Sequence, residues 1–303
     1  MPYWLTGSRI GDRPVGSRWS TTKVTVQQAV PSRAARPAIR SASAAVTNSQ
    51  RSGTSMVDNI SMALSSDVSI VVARIDRDLR ALGTSVRATQ EKAYLKSSMD
   101  HYGVSVPDVR KVAQALAYAE PTLDHDDLIQ LVTALWATKV YERRAVTVEL
   151  LVLSQALLAD RDLQLLESFL RESRTWALVD HLAEAVVGGL VVRYPTFGDR
   201  LDQWSVDGDF WIRRAALLAL LGPLRRGGGD FERFGRYADR MLEEKEFFIR
   251  KAVGWVLRET AKKRPDLVFD WLAPRAHRAS GVTLREAVKP LSPAQRERVL
   301  ASR

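Results

Sequence analysis

The chain has no cysteine among its 303 residues, which excludes disulfide bonds, thiolate metal ligands and a cysteine nucleophile. Histidine is also scarce, and its copies lie too far apart to form a metal-binding motif: His101, His125, His181 and His277. No apolar run reaches the length of about 18 residues that a membrane span needs. These absences predict a protein with no metal ion or other cofactor and with no membrane partner.

Positive charge is concentrated at the start of the chain. Of the net charge of +10, +7 lies in residues 1–55, which hold eight Lys or Arg and one acid, Asp12. This segment is rich in Ser, Ala and Thr and lacks apolar periodicity, so we expect a disordered basic tail. Alternatively, it resembles a transit peptide, or it is a mis-called extension ahead of a true start at Met56. Residues 56–303 are then expected to form a single domain.

From about residue 57 onward the sequence predicts helices throughout. Leu, Ala, Arg and Glu dominate, and no alternating pattern typical of a β-strand persists. Short breaks divide the chain into helices of roughly 10 to 20 residues. They lie at 103–107, 120–122, 194–196, 227–229 and 264–266. This pattern indicates an all-α protein of packed antiparallel helices.

A short motif recurs along the chain: an aromatic residue, any residue, Arg, a basic residue, Ala and a small residue. Its copies begin at Tyr141, Trp211 and Phe248; the last two begin 37 residues apart and the first two 70 residues apart, about two periods. A weaker copy near Val179 fills the gap. A repeat of this length with two helices per unit predicts an α-α superhelix, a helical repeat solenoid. Because the Arg-basic pairs recur at one repeat position, we expect a concave basic face.

The stretch from Glu246 to Glu259 predicts a helix with two faces. One apolar stripe has the spacing of a buried face: Ile249, Ala252, Val253, Val256 and Leu257. A second stripe combines an aromatic ring with cations: Lys251, Trp255, Arg258 and Lys262. We expect this second stripe to form a surface that meets a phosphate backbone and a flat group.

Trp176 and Asp180 lie one helical turn apart and therefore share a face. The apolar stripe of the same helix uses Val179, Leu182 and Ala183, so the indole and the carboxylate need not belong to the core. Two interpretations are open. Asp180 either serves the chemistry of a site or forms a salt bridge with an arginine of a neighbouring repeat.

These features together resemble the DNA alkylation repair family, the HEAT-like-repeat DNA glycosylases of the AlkD type. The resemblance covers roughly residues 85 to 290, and its most specific part is the block Phe247 to Glu259. It also includes Lys92 to Lys96, Tyr102-Gly103-Val104 and Pro107 to Arg110. The resemblance implies a HEAT-like fold, duplex DNA carrying alkylated bases as the partner, a monomer, and a cytoplasmic protein that associates with the nucleoid.

The resemblance also implies roles for individual residues. The lesion site would consist of Trp176, Asp180, Arg214 and Trp255, with Asp180 stabilising an oxocarbenium-like sugar and Arg214 holding a phosphate. Six further cations are the expected DNA-backbone contacts: Arg143, Arg144, Arg213, Arg250, Lys251 and Arg258. The expected reaction is hydrolysis of the N-glycosidic bond of cationic N3- or N7-alkylated purines, without a deep base-flipping pocket. No lysine is assigned to Schiff-base chemistry, so no lyase step is expected.

The motif departs from the family pattern beside Trp176, where Thr175 and Ala177 stand in place of a second Trp and an additional acid. Asp180→Asn is expected to slow excision while leaving the fold and DNA affinity nearly unchanged. The alternative function is a noncatalytic helical-repeat scaffold that binds DNA or protein. It explains the repeats and the basic residues, but it gives no role to Trp176, Asp180 and Trp255.

Overall fold

The computed structural model describes residues 56–194 and 196–302, so the predicted tail, residues 1–55, lies outside the described part. The site and the packing discussed below lie within one compact unit, Ala63–Arg303. The described residues form helices and turns, with one isolated bridge between Asp100 and Val140 and no strand. The all-α prediction is confirmed. None of the described helices is long and apolar enough to span a membrane.

Sixteen α-helices follow one another along the described chain. They are α1 Met56–Leu82, α2 Ser85–Leu95, α3 Val106–Ala119, α4 His125–Trp136, α5 Tyr141–Leu153, α6 Leu163–Ser173, α7 Trp176–His181, α8 Gly188–Arg193, α9 Phe197–Trp204, α10 Phe210–Leu218, α11 Leu221–Arg225, α12 Phe231–Met241, α13 Phe247–Ala261, α14 Pro265–Leu272, α15 Gly281–Ala287 and α16 Pro293–Ala301. A π-helical segment, Leu182–Val187, joins α7 to α8. Single 3₁₀ turns lie at Gln155–Leu157, Asp160–Asp162 and Ala273–Arg275.

One row of helices runs through the repeats. Each member packs on the next, in the order α3, α5, α7, α10, α13 and α15; we call this the central row. Helices α4, α6, α9, α11, α12 and α14 pack beside members of that row. This stacking of helix pairs confirms the predicted helical-repeat superhelix.

The apolar stripes of three consecutive repeats form the core between these helices. The residues predicted to be buried on α7 and the π segment after it, on α10 and the two residues after it, and on α13 are all at most 4% exposed. They are Val179, Leu182, Ala183, Val186, Val187, Ile212, Ala215, Ala216, Ala219, Leu220, Ile249, Ala252, Val253, Val256 and Leu257. Helical periodicity therefore predicted the buried face of the central row correctly.

Several helices are shorter than the sequence predicts, and α10 shows why. It ends at Leu218, although its apolar stripe continues to Leu220. Pro223 lacks the N–H that would bond the carbonyl of Ala219 four residues earlier, so the helix cannot continue unbroken. The Ala219 carbonyl oxygen lies close to α8. A Cβ added at Gly188 would be only 2.8 Å from it.

Three arginines fasten the turns that precede helices of the central row. Arg144 Nε donates to the Thr138 carbonyl at 3.2 Å, Arg213 Nη1 to Asp207 at 2.6 Å, and Arg250 Nε to Glu244 at 2.6 Å. In each case the carbonyl lies six residues earlier, in the turn before the helix. Arg213 and Arg250 are the third residues of their motif copies and Arg144 is the fourth residue of its copy. Their charged hydrogen bonds hold the entry to these three helices.

The π segment has an identifiable support. The side-chain amide of Gln155 donates from Nε2 to the carbonyls of Ala185 and Val186, at 2.7 and 3.1 Å. In a π helix the carbonyls accept from the N–H five residues on instead of four, and this amide gives two of them an additional donor. Gly189 leaves the room it needs, because a Cβ there would lie 2.2 Å from Gln155 Nε2.

We expect Gln155→Ala and Gly189→Ala each to lower the free energy of unfolding by about 1–3 kcal/mol, because each removes the amide from the two carbonyls. The double variant should cost little more than one substitution, since both abolish the same contact. Urea denaturation of the four proteins measures this coupling. Gly222→Ala is the control, because a Cβ added at Gly222 would meet only the Arg226 side chain, at 3.6 Å. Additive costs would contradict the assignment of Gln155.

Candidate active site

The candidate site is built around a buried ion pair between α7 and α10. Arg214 donates from Nε to Asp180 Oδ1 and from Nη2 to Asp180 Oδ2, both at 2.7 Å. Each side chain is only 5% exposed. A parallel two-bond geometry of this kind fixes the plane and the direction of the carboxylate.

Arg214 also reaches the next repeat. Its Nη1 donates to the carbonyl of Phe248 in the first turn of α13, and its guanidinium lies 5.9 Å from the centre of the Phe248 ring. One side chain on α10 therefore connects three successive members of the central row, α7, α10 and α13. Three of the five guanidinium N–H groups have these partners, which leaves one N–H on each Nη nitrogen.

The burial of Asp180 differs from the sequence-based expectation that it need not belong to the core. Asp180 is 4% exposed, and burial raises the pKa of its carboxyl, against the opposing charge and hydrogen bonds of Arg214. Both interpretations from the sequence meet at this residue: Asp180 does form a salt bridge to an arginine of a neighbouring repeat, and that arginine is the predicted phosphate-binding Arg214.

Trp176 begins α7 one turn before Asp180 and is half-buried. Its ring meets the ring of Tyr94 edge to face, with the ring centres 5.9 Å apart. Tyr94 lies on α2 and is 58% exposed. The sequence pattern did not identify Tyr94 as part of this site, because the residue lies 82 positions before Trp176 and on a different helix. The aromatic wall that lacks a second Trp beside Trp176 thus gains a tyrosine from another segment.

Trp255 lies on α13, seven residues after Phe248, and therefore on the face that meets Arg214. It is 8% exposed, whereas the sequence stripe predicted an exposed ring. The indole Nε1 is buried and has no hydrogen-bond partner among the described residues. A buried donor without a partner is costly, which makes this N–H a candidate ligand contact.

A second carboxylate, not predicted from the sequence, lies one turn beyond Asp180. Glu184 is in the π segment, where it accepts a hydrogen bond from Arg225; the Arg225 Nε is 3.6 Å from Glu259 on α13. Burial raises the pKa of the Glu184 carboxyl, Arg225 opposes this, and the charge of Asp180 adds to it. Two acid–arginine pairs therefore lie one helical turn apart, Asp180 with Arg214 and Glu184 with Arg225.

The comparisons with known proteins agree with this architecture. The model of the DNA alkylation repair enzyme family matches residues 75–291, which is most of the chain. The chain belongs to this family. Membership gives it a role in DNA repair, and the resemblance seen in the sequence is confirmed. Comparison with curated protein sequences gives no match.

Solved structures show the same fold. A protein from Enterococcus faecalis, described as a predicted DNA alkylation repair enzyme, has a TM-score of 0.63 at 21% identity, over 70% of this chain and 97% of that chain. AlkD2 from Streptococcus mutans has a TM-score of 0.54 at 19% identity, over 74% of this chain and 99% of that chain. At these identities the likeness concerns the fold alone.

Most of the cations expected to contact DNA in this family member already have protein partners. Arg144 is 4% exposed and donates to the carbonyls of Trp136, Thr138 and Glu172. Arg213 is held by both oxygens of Glu244 and by the Asp207 carbonyl. These guanidiniums hold repeats together, which differs from the expected role in an open basic face.

The other four predicted contacts differ in accessibility. The side chains of Arg143 and Arg258 are 11% and 12% exposed, and they lie beside Asp76 and Glu286 respectively. Arg250 is half-buried and bonds the Glu244 carbonyl. Lys251 is 45% exposed, and its Nζ is 3.6 Å from Glu286. Among the six, Lys251 is therefore the most accessible to a phosphate group.

The ion pair leads to a stability prediction that differs from the one made from sequence. Asp180→Asn should lower the free energy of unfolding by about 3–5 kcal/mol, because it leaves the buried Arg214 cation without its anion. Urea denaturation measures this loss. Glu232→Gln is the matched control, since it breaks a pair with Arg236 whose side chains are 88% and 47% exposed, and should cost at most about 1 kcal/mol. Equal costs would show that burial of the Asp180–Arg214 pair has no energetic consequence.

Proposed function

We propose that the protein is a monofunctional DNA glycosylase that removes cationic alkylated purines, of the N3-methyladenine and N7-methylguanine type, from duplex DNA. The observation that carries this proposal is the Asp180 carboxylate, which Arg214 fixes in one orientation beside the aromatic pair of Trp176 and Tyr94. Membership of the DNA alkylation repair enzyme family supports the choice of substrate.

The chemistry of such a substrate matches the groups that this site offers. An alkylated purine already carries a positive charge, so it leaves as a neutral base and needs no general acid. As the glycosidic bond breaks, positive charge develops on the sugar, and water then adds to C1′ with loss of a proton. A fixed carboxylate lowers the energy of that developing charge without having to reorganise. Asp180 has this role in our proposal, and it also orients the attacking water.

The surrounding groups have binding roles in this mechanism. Trp176 and Trp255 flank the sugar, and Tyr94 extends the aromatic wall next to Trp176. The unpaired Nε1–H of Trp255 donates to an oxygen of the bound strand. Arg214 keeps its contact with Asp180 and directs its two remaining N–H groups to a phosphate.

The contacts to the DNA backbone are fewer than the sequence suggested. Lys251 and Arg250 lie on α13, in the same repeat as Trp255, and are the proposed direct contacts to the DNA backbone. Such contacts position the duplex without reading its sequence. Arg144 and Arg213 act indirectly by holding the turns that precede α5 and α10.

A noncatalytic DNA-binding scaffold remains the second candidate, and a specific observation favours it. Both oxygens of Asp180 accept hydrogen bonds from Arg214, which is also the arrangement expected of a purely structural salt bridge. The two functions therefore differ in what the carboxylate does once DNA is bound.

A comparison of Asp180→Asn with Asp207→Asn separates them. Asp207 accepts from Arg171 through both oxygens, at 3.1 and 2.7 Å, and so provides a second two-bond ion pair. We expect Asp180→Asn to slow single-turnover excision of N7-methylguanine by roughly 10²-fold, about 2.7 kcal/mol, and Asp207→Asn to leave it nearly unchanged.

Both variants are assayed at saturating enzyme and below their thermal midpoints, and the folded fraction is measured by circular dichroism. DNA affinity should stay the same in both. If Asp180→Asn excises the base as fast per folded molecule as the unaltered protein, Asp180 acts only through stability. If the unaltered protein releases no base, the scaffold is favoured.

A further inference from the structure

Three side chains that have no part in the candidate active site converge from separate segments. Glu91 lies on α2, His101 in the connection that follows it, and Glu142 in the first turn of α5. One ligand-type atom of each lies within 4.8 Å of the others. Each is mostly or fully buried: the side chains of Glu91 and His101 are 14% and 1% exposed, and Glu142 is 0% exposed.

The histidine is the informative member of this cluster. Both ring nitrogens of His101 are buried and have no hydrogen-bond partner among the described residues. The nearer Glu91 oxygen, Oε2, is also buried without a partner and lies 4.0 Å from His101 Nδ1, too far for a hydrogen bond. A buried polar group without a partner destabilises the fold, so several such groups facing one another indicate a missing bridging group.

The remaining contacts hold these atoms in place. The His101 ring stacks on Tyr141, with ring centres 4.8 Å apart. Glu142 accepts backbone N–H groups from Gly103 and Val104 on Oε1, and from Tyr102 on Oε2. A carboxylate has about four acceptor positions, so Oε2 keeps one for a further partner. Glu91 has its other oxygen, Oε1, 3.7 Å from Arg87.

We propose that Glu91, His101 and Glu142 form a binding site for a divalent transition-metal ion, most favourably Zn²⁺. An imidazole with two carboxylates is a ligand set that zinc accepts, and two anions favour a cation over a neutral water molecule. The sequence analysis predicted no metal site because the three ligands come from separate segments without motif spacing.

The geometry requires only a small adjustment. Because the three ligand atoms all lie within 4.8 Å of one another, an ion at their centre lies at most about 2.8 Å from each, whereas zinc bonds to nitrogen and oxygen are about 2.1 Å. Each ligand atom therefore moves inward by at most about 0.7 Å, which side-chain rotation of Glu91 and His101 can supply.

The site fastens α2 and the following connection to α5. Because α2 also carries Tyr94, which packs on Trp176, the metal ion stabilises the helix that completes the aromatic wall. The metal proposal does not depend on glycosylase activity, because its test measures only the binding of Zn²⁺.

The test uses the full chain, treated with a chelator and then dialysed against Zn²⁺, with bound metal measured by elemental analysis. We expect one Zn²⁺ per chain and a rise in thermal midpoint on binding. His101→Phe keeps an aromatic ring against Tyr141 and removes the ligand atoms, while Glu91→Gln keeps the shape and removes the charge. Each should weaken Zn²⁺ binding by at least about tenfold.

His277→Gln is the matched control, because His277 is exposed and lies outside the cluster, and its Zn²⁺ binding should equal that of the unaltered protein. If His101→Phe does not fold by circular dichroism, Glu91→Gln decides. The proposal is overturned if the unaltered protein binds no stoichiometric Zn²⁺, or if folded variants bind it as tightly as the unaltered protein.

Discussion

The Asp180–Arg214 ion pair is the interaction on which the arrangement of this site depends. It joins α7 to α10 by two hydrogen bonds of 2.7 Å, and the same guanidinium continues to the Phe248 carbonyl on α13. Burying two charges is costly unless they are well paired, so the three helices are held in one register. The orientation of the carboxylate and the spacing of the central row consequently have the same cause, and the proposed mechanism couples catalysis to folding at Asp180.

Arginine has a structural use in this chain that does not depend on DNA. The repeated Arg-basic motif places guanidiniums where they bond the carbonyl of the preceding turn, as Arg144, Arg213 and Arg250 do. Arginine suits this task because its planar fork makes several charged hydrogen bonds at once. A recurring basic residue in a helical repeat is thus as much evidence for a fastened turn as for a phosphate-binding face. Lys251, with a flexible and exposed side chain, is the better candidate for phosphate binding.

How much the sequence could predict depended on the range of the interaction. Helical periodicity located the buried stripes on α7, α10 and α13, and proline and glycine located the breaks, because both signals are local. The resemblance to the DNA alkylation repair family grouped Asp180, Arg214 and the two tryptophans as one predicted site. Periodicity could not show that Asp180 pairs with Arg214, that Trp255 is buried, or that Tyr94 meets Trp176, since each depends on the stacking of separate repeats. The support of the π segment by Gln155 was likewise invisible in a local pattern.

The most direct test of the account follows the fate of the base itself. The unaltered protein is incubated with duplex DNA containing either N7-methylguanine or a neutral alkylated purine such as O6-methylguanine, and free base and abasic strand are measured separately. The account predicts release of free N7-methylguanine, an abasic strand that stays intact until alkali is added, and no release of the neutral base. Binding of both duplexes without release of either base would contradict it, as would equal release of the charged and the neutral base.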